Sequence, residues 1–182
     1  AGLYYQLKKF SDAVHYFERA VALMDTDITT VAMLISCYTA LGDAEGTRRA
    51  AELTIKRAEA ILSHDQNNSR VTAFTVDALA ALGETDRAKT RMERALLIDP
   101  GDLVMRYNFA CMLALRLKDP DAAMEMLEPL FESISDSFLA YAKADPDLDL
   151  LHDDPRYQAM VAAAEARLAV AKDSNTPAAT AP

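Results

Sequence analysis

The amino-acid sequence predicts an all-α protein built from antiparallel pairs of amphipathic helices. Apolar residues recur every three or four positions on both sides of Leu82-Gly83, which predicts two helices joined by a tight turn. Hydrophobic residues make up 51% of the 182 positions and glycine only five, a composition that favours helix. A 34-residue period relates two sets of apolar positions, namely Val76, Leu79, Ala88 and Met92, and then Ala110, Leu113, Ala122 and Met126.

Helix pairs at this period resemble the tetratricopeptide repeat family. The resemblance implies a right-handed superhelix of antiparallel helix pairs, closed by a C-terminal capping helix. It places a single repeat domain at residues 1–172. Residues 173–182 are rich in serine, threonine, proline and alanine, which predicts a disordered tail. The expected units are the repeats at about 1–27, 28–68, 69–102 and 103–136, and a cap at 137–172.

The first repeat starts inside its first helix. Aligning Tyr4 on Tyr38 leaves a short remnant, Ala1–Lys9, so we expect the chain to be a fragment of a longer protein. Ser11 is predicted to cap the second helix. In the next repeat, helices are predicted at about Thr29–Leu41 and Ala44–Ser63.

That second repeat is seven residues longer than the period. Seven residues are nearly two full helical turns, so the insertion should lengthen the second helix without rotating its apolar face away from the core.

Later helices are predicted at about Leu103–Leu117, Pro120–Glu132 and Pro155–Lys172.

The end of the chain carries a second resemblance. The run from Arg106 to Ala110, the run from Ala144 to Asp149 and the run from Asp153 to Tyr157 are similar to the closing segment of certain bacterial tetratricopeptide regions. Those regions end class III adenylate/guanylate cyclases, winged-helix regulators and some serine/threonine kinases. The resemblance implies a C-terminal accessory module.

The net charge and the composition limit the classes of partner that the chain is expected to bind. The chain has 28 acidic and 19 basic side chains, a formal charge of −9, which disfavours nucleic acid and favours basic peptides or protein faces. No apolar run reaches the ~18–20 residues of a membrane span. Cys37 and Cys111 fall on first helices of repeats, where we expect buried, inert thiols in a reducing, cytoplasmic setting.

Neither a catalytic site, a cofactor nor a metal is expected. Asp145, Asp147 and Asp149 imitate the start of a calcium loop, but Leu150 and Arg156 occupy the positions that need glycine and glutamate. These carboxylates, together with Asp153 and Asp154, are therefore interpreted as turn-forming and helix-capping groups. The three histidines are far apart in the sequence, and no nucleophile or phosphate-loop motif is found.

The family resemblance also locates a candidate partner-binding groove, because the first helix of each tetratricopeptide pair lines the concave face. Carried onto this sequence, that selects Thr29, Ala32, Ser36, Thr39, Arg70, Ala73, Asp77, Ala80, Val104, Tyr107, Cys111 and Ala114. These rows are small and nearly uncharged, which disfavours a clamp for a peptide carboxylate. A helix fits better, from the chain's own C-terminal end or from another subunit; the alternative is unused surface.

Together these features predict a non-catalytic scaffold for protein–protein contact or self-association, as the C-terminal module of a larger bacterial signalling protein. One alternative is a regulatory or dimerisation arm of a class III cyclase. A further alternative is a sensing arm of a winged-helix transcription regulator.

Overall fold

The computed structural model describes residues 2–175, and within that range the chain is helical with no β-strand. The predicted all-α class is therefore confirmed. The α-helices are α1 (Gly2–Gln6), α2 (Phe10–Leu23), α3 (Ile28–Leu41), α4 (Ala44–Leu62), α5 (Ser69–Ala81), α6 (Thr85–Ile98), α7 (Leu103–Met112), α8 (Pro120–Ser133), α9 (Asp136–Lys143) and α10 (Pro155–Asn175). A π-helical turn follows α7 at Leu113–Leu117, and a 3₁₀ helix lies at Pro146–Leu151.

The chain divides into two compact units, Ala1–Met105 and Arg106–Pro182. The division falls inside α7, within the stretch predicted as one domain at residues 1–172. Of the expected tail at 173–182, residues 173–175 extend α10, and the remainder lies outside the described residues. Among the helices of residues 2–175, none is both long and apolar enough to cross a membrane.

In the first unit, consecutive helices from α1 to α6 pack side by side, and α3 also packs against α5. Their shared core joins residues of four helices: Ala13, Phe17, Leu34, Ile35, Cys37, Tyr38, Ala50, Ala51 and Ala78. A second cluster, formed by Ile28, Ala58 and Val71, connects the start of α3, the end of α4 and the start of α5. These contacts make the unit a stack of helical hairpins.

Glycine ends the first helix of two hairpins. Gly42 follows α3 with φ of 70°, and Gly83 follows α5 with φ of 76°, a left-handed conformation that other residues rarely adopt. Each turn is closed by a backbone bond of 2.9 Å spanning five residues, from Asp43 N–H to the Tyr38 carbonyl and from Glu84 N–H to the Leu79 carbonyl. The chain therefore reverses in the same way after α3 and after α5.

Tyr38 links three helices of the first unit. Its ring lies against Gly46 of α4, where an added Cβ would come within 2.5 Å of the ring carbon Cδ1. Its hydroxyl donates a hydrogen bond to the Glu18 carboxylate of α2 at 2.5 Å. Because no side chain separates the backbone of α4 from this ring, α3 and α4 cross closely at this point.

The seven inserted residues lengthen α4 to 19 residues, and its buried face stays continuous, as predicted. That face consists of Gly46, Thr47, Ala50, Ala51, Thr54 and Ala58. Near its end, Arg57 donates to the Asp27 carbonyl at 2.7 Å and the Val21 carbonyl at 3.1 Å. The extra turns thus place a guanidinium on carbonyl groups of the α2–α3 connection.

The predicted start of α2 was wrong. The helix begins at Phe10 with Lys9 in the capping position, and no side chain caps it, so Ser11 lies inside the first turn. Lys8 has φ of 55°, and the Lys9 N–H bonds the Tyr4 carbonyl at 2.9 Å. This turn at the end of α1 sets the start of α2 earlier than Ser11.

In the second unit, the π-helical turn holds one residue more than the 34-residue period allows. The period places the left-handed residue at Leu117, 34 after Gly83, but Lys118 adopts it, with φ of 52°. The closing bond, from Asp119 N–H to the Leu113 carbonyl, spans six residues instead of five. A π-helical turn accommodates such an insertion without breaking the helix.

This extra residue corrects the predicted equivalences in α8. Ala122 and Met126, predicted as counterparts of Ala88 and Met92, are half-buried. The fully buried counterparts of Ala88, Met92 and Ala95 lie 35 residues later, at Ala123, Leu127 and Leu130. The 34-residue spacing holds as far as Leu113, and the register then changes by one.

The rest of the second unit packs around α10. Tyr157 donates to the Ala142 carbonyl of α9 at 3.3 Å, and its ring lies 5.7 Å from that of Phe131 on α8. Arg167 donates to the Ile134 carbonyl at 2.6 Å. Leu148 and Leu151, from the 3₁₀ helix, are completely buried. These contacts attach α10 to both α8 and α9.

Replacing Gly46 with alanine should destabilise the protein by about 1–3 kcal/mol, because the new methyl group would overlap the Tyr38 ring. Chemical denaturation of Gly46→Ala and wild type measures this difference. Gly101→Ala is the matched control, since its nearest neighbour would lie 3.9 Å away, and we expect a change within about 0.5 kcal/mol. Equal stability of the two variants would contradict the close crossing.

Replacing Lys118 with glycine should stabilise the protein by about 0.5–1 kcal/mol, because glycine adopts the left-handed conformation without steric cost. The opposite change, Gly83→Ala, should destabilise it by about 1 kcal/mol for the same reason. Denaturant titration of each variant against wild type measures both changes in the free energy of unfolding. A destabilising effect of Lys118→Gly would show that the lysine side chain matters more than its backbone conformation.

Candidate interaction surface

The eight candidate groove residues of α3 and α5 form two rows on neighbouring helices of the first unit. Thr29, Thr39 and Arg70 are exposed, and Ala80 is buried. The remaining members are half-buried: Ala32, Ser36, Ala73 and Asp77. Most positions of both rows are therefore accessible, and the α5 row becomes buried at its Ala80 end.

Helix capping fixes where each row begins. The Asp27 carboxylate accepts the Thr30 N–H at 3.0 Å at the start of α3, and the Asn68 side-chain oxygen accepts the Val71 N–H at 3.0 Å at the start of α5. Partial burial alone would raise the pKa of Asp27, but the hydrogen bonds donated by Thr30 and Thr29 and the charge of Arg57 together lower it, so the cap stays charged at neutral pH. Both helices therefore start at defined residues.

This surface has few charged or reactive side chains. Small side chains predominate, and the two charged members are Arg70, whose guanidinium lies 5.8 Å from the Phe74 ring centre, and Asp77. Small residues let another backbone approach closely. We define the α3–α5 surface as Thr29, Ala32, Ser36, Thr39, Arg70, Ala73, Asp77 and Ala80.

The candidate residues of α7 have a different environment. Val104 is 61% exposed, while Tyr107 and Ala114 are buried and Cys111 is half-buried. Tyr107 donates to the Asp145 carboxylate at 2.5 Å, and its ring centre lies 5.0 Å from that of Phe138 on α9. In the second unit, the chain itself therefore occupies the predicted partner-binding positions.

Cys111 completes a small polar cluster with Asp145 and Asp147. One potential ligand atom from each lies within 4.8 Å of the other two, so this is the group within the described part of the chain that could hold a metal ion. Asp145 already accepts hydrogen bonds from Tyr107 and from the Asp147 N–H, the latter at 3.0 Å. Burial and the two carboxylates raise the pKa of Cys111 to about 12, so a metal would have to displace its proton.

The interpretation of the aspartates as capping groups is confirmed at two positions. Asp145 caps the 3₁₀ helix through the Asp147 N–H. The Asp154 carboxylate accepts the Arg156 N–H at 2.8 Å and forms an ion pair with the Arg156 guanidinium at 2.7 Å. Their part in local structure explains why acidic residues recur in this segment.

The histidines are in separate environments. The rings of His15 and Tyr16 meet edge to face, and His64 is exposed in the turn after α4. His152 lies 3.5 Å from Asp149 through Nδ1, whereas its Nε2 is buried without a hydrogen-bond partner. Sequence reasoning treated His152 as a surface or helix-side residue and did not foresee the buried nitrogen.

The sequence analysis also missed the meeting of Cys111 with Asp145, 34 residues later in the chain. The period itself held a signal, since Asp145 follows Cys111 by one 34-residue repeat, although Asp145 lies just after α9 and not on it. Over residues 2–175 the chain is thus all-helical, and its α3–α5 surface presents mostly small residues. In comparisons, the chain matches no known protein family, and no curated protein matches it significantly.

Both thiols should be unreactive while the protein is folded. Burial raises the pKa of Cys37 to about 11 and, with Asp145 and Asp147, that of Cys111 to about 12, from 9.0. The reactive thiolate is therefore roughly 100-fold and 1000-fold rarer at pH 8 than in the unfolded chain. Reaction with a disulfide reagent should be slow in buffer and complete within minutes in denaturant.

The same shifts predict a direction for alkaline stability. The folded thiols hold their protons more tightly than the unfolded ones, so this contribution is complete below about pH 9 and declines as pH rises towards 11–12. Rapid modification of the native protein at pH 8 would contradict the burial of these groups.

Proposed function

We propose that this chain is a non-catalytic protein-interaction module of the tetratricopeptide type, and that it binds a helical segment of another protein on the α3–α5 surface. The observation that carries the proposal is the packing of α3 against α5, which places two half-exposed rows of small residues on neighbouring helices. Small residues permit close packing of a partner helix, which supplies its own large side chains.

The charge of the chain supports a basic partner. With a net charge of −9, long-range attraction favours a helix rich in lysine and arginine, and Asp77 supplies a carboxylate on the surface itself. The cytoplasm suits such a module, because Cys37 and Cys111 are both present as free thiols.

The absence of catalysis is also part of the proposal. The raised pKa values of Cys37 and Cys111 make them poor nucleophiles. The α3–α5 surface combines alanine, serine and threonine with one arginine and one aspartate, and it includes no histidine or cysteine that could transfer a proton at neutral pH. Such a surface is suited to contact.

Capture of partners on the immobilised chain, followed by titration of the purified pair, tests the proposal. Ala73→Glu places a large charged side chain on the half-buried row of α5 and should weaken binding at least 10-fold. Ala60→Glu is the matched control, because Ala60 is exposed on α4 outside the surface, and its affinity should stay within about 2-fold.

Circular dichroism confirms that both variants are folded before binding is compared. Ser36→Glu repeats the test on α3, since Ser36 belongs to the other row. Wild-type affinity in both Ala73→Glu and Ser36→Glu would place the partner elsewhere and overturn the assignment of this surface.

A further inference from the structure

A second feature of the first unit is a pocket of about 230 Å³ beside the turn that connects α4 to α5. Its lining comes from the end of α4, the turn itself, α5 and α6: Leu62, Gln66, Thr72, Arg91 and Arg94. Two of these five side chains are guanidinium groups and none is acidic. In a chain with a net charge of −9, this local excess of positive charge needs an explanation.

Arg91 is the central observation. It is half-buried, and it makes no hydrogen bond, ion pair or ring contact with any residue of the described range 2–175. A guanidinium has five N–H donors and no acceptor, and the Arg91 nitrogens are not sequestered, since among the described residues His152 Nε2 is the buried side-chain nitrogen without a partner. The Arg91 donors are therefore open to a ligand in the pocket. By contrast, the half-buried Arg57 on α4 donates to two main-chain carbonyls. The exposed Arg87, on the same helix as Arg91, pairs with Glu84.

Arg94 lies three residues after Arg91, on the same side of α6. Like charges at this spacing repel each other and destabilise a helix. Arg94 donates to the Asn67 side-chain oxygen at 3.0 Å, which holds its guanidinium against the α4–α5 turn. The two positive groups therefore line the same pocket, and no carboxylate in the pocket lining neutralises them.

The remaining lining residues suit a small polar ligand. Gln66 supplies a side-chain amide that has no partner in the described structure, and Leu62 and the buried Thr72 form the wall. The Thr72 hydroxyl already donates to the Asn68 carbonyl at 2.9 Å, so the donors available to a ligand come from Arg91, Arg94 and Gln66.

We infer that this pocket binds a dianionic oxyanion, the phosphate group of a small phosphomonoester. Guanidinium groups match the oxygens of phosphate in paired hydrogen bonds, and two of them neutralise a dianion. The volume is below the ~300–1,000 Å³ of pockets for drug-sized ligands, which favours a small molecule. The inference is independent of the proposed function, because none of the five residues belongs to the α3–α5 surface.

Titration of the whole chain with inorganic phosphate and with glycerol phosphate, at pH 8 and constant ionic strength, tests the inference. The arginine Nε–H signals in nitrogen-correlated NMR spectra report binding directly. We expect saturable shifts with both probes for wild type, and no saturation with acetate or chloride, which lack a second charge. Saturation by acetate at the same concentration would overturn the dianion assignment.

Arg91→Gln removes the unpaired donor and should weaken phosphate binding at least 10-fold. Arg87→Gln is the matched control, since it removes the same charge four residues earlier on α6 from an exposed pair with Glu84, and its affinity should stay within 2-fold. Arg94→Gln tests the second guanidinium and should weaken phosphate binding several-fold. This variant gives an independent test of the pocket if Arg91→Gln lowers the stability of the protein.

Three results would overturn the assignment. The first is the absence of saturable binding to wild type. The second is equal affinity in wild type, Arg91→Gln and Arg94→Gln. The third is an equal loss in Arg87→Gln and Arg91→Gln, which would mean that phosphate responds to the overall charge of α6 and not to the pocket.

Discussion

The close crossing of α3 and α4 is the constraint on which the first unit depends. At Gly46 the backbone of one helix touches the Tyr38 ring of the other, and the hydroxyl of that ring continues to Glu18 on α2. One aromatic side chain thus fixes the spacing of one hairpin and its attachment to the preceding helix. The position of α3 in turn sets where α5 packs, and these two helices carry the α3–α5 surface.

Arginine has two structural settings in this protein. Arg57 and Arg167 each donate to main-chain carbonyls far away in sequence, Asp27 and Ile134, and so hold a helix against a connection. Arg91 has the same guanidinium group but no acceptor in the described chain. Arg57 and Arg167 therefore hold structural contacts, whereas the donors of Arg91 face the pocket.

The sequence predicted the helices well because their signals are local. The apolar period, the glycines at 42 and 83 and the capping aspartates each act within a few residues, and α3, α4 and α10 lie within three residues of their expected bounds. The start of α2 was missed because Lys8 adopts a left-handed backbone conformation, and a lysine in the sequence does not predict that conformation as a glycine would.

The candidate site was less predictable, because accessibility depends on what packs over a residue. Tyr107 and Ala73 occupy equivalent positions in successive repeats, yet Asp145 and Phe138 cover the tyrosine, whereas the alanine stays half-exposed. The position of a residue within its repeat does not predict whether a distant part of the chain will pack over it. Pocket formation by Gln66 and Arg91 likewise depends on three separate helices and a turn.

The π-helical turn at Leu113–Leu117 has a consequence for how such a chain diversifies. It absorbs one surplus residue between two buried positions, Leu113 and Ala123, while both remain fully packed. The extra residue at this point therefore leaves the burial of the residues on either side unchanged. We therefore expect this turn, which already holds a surplus residue, to accept a change of one residue in length more readily than the buried positions on either side of it.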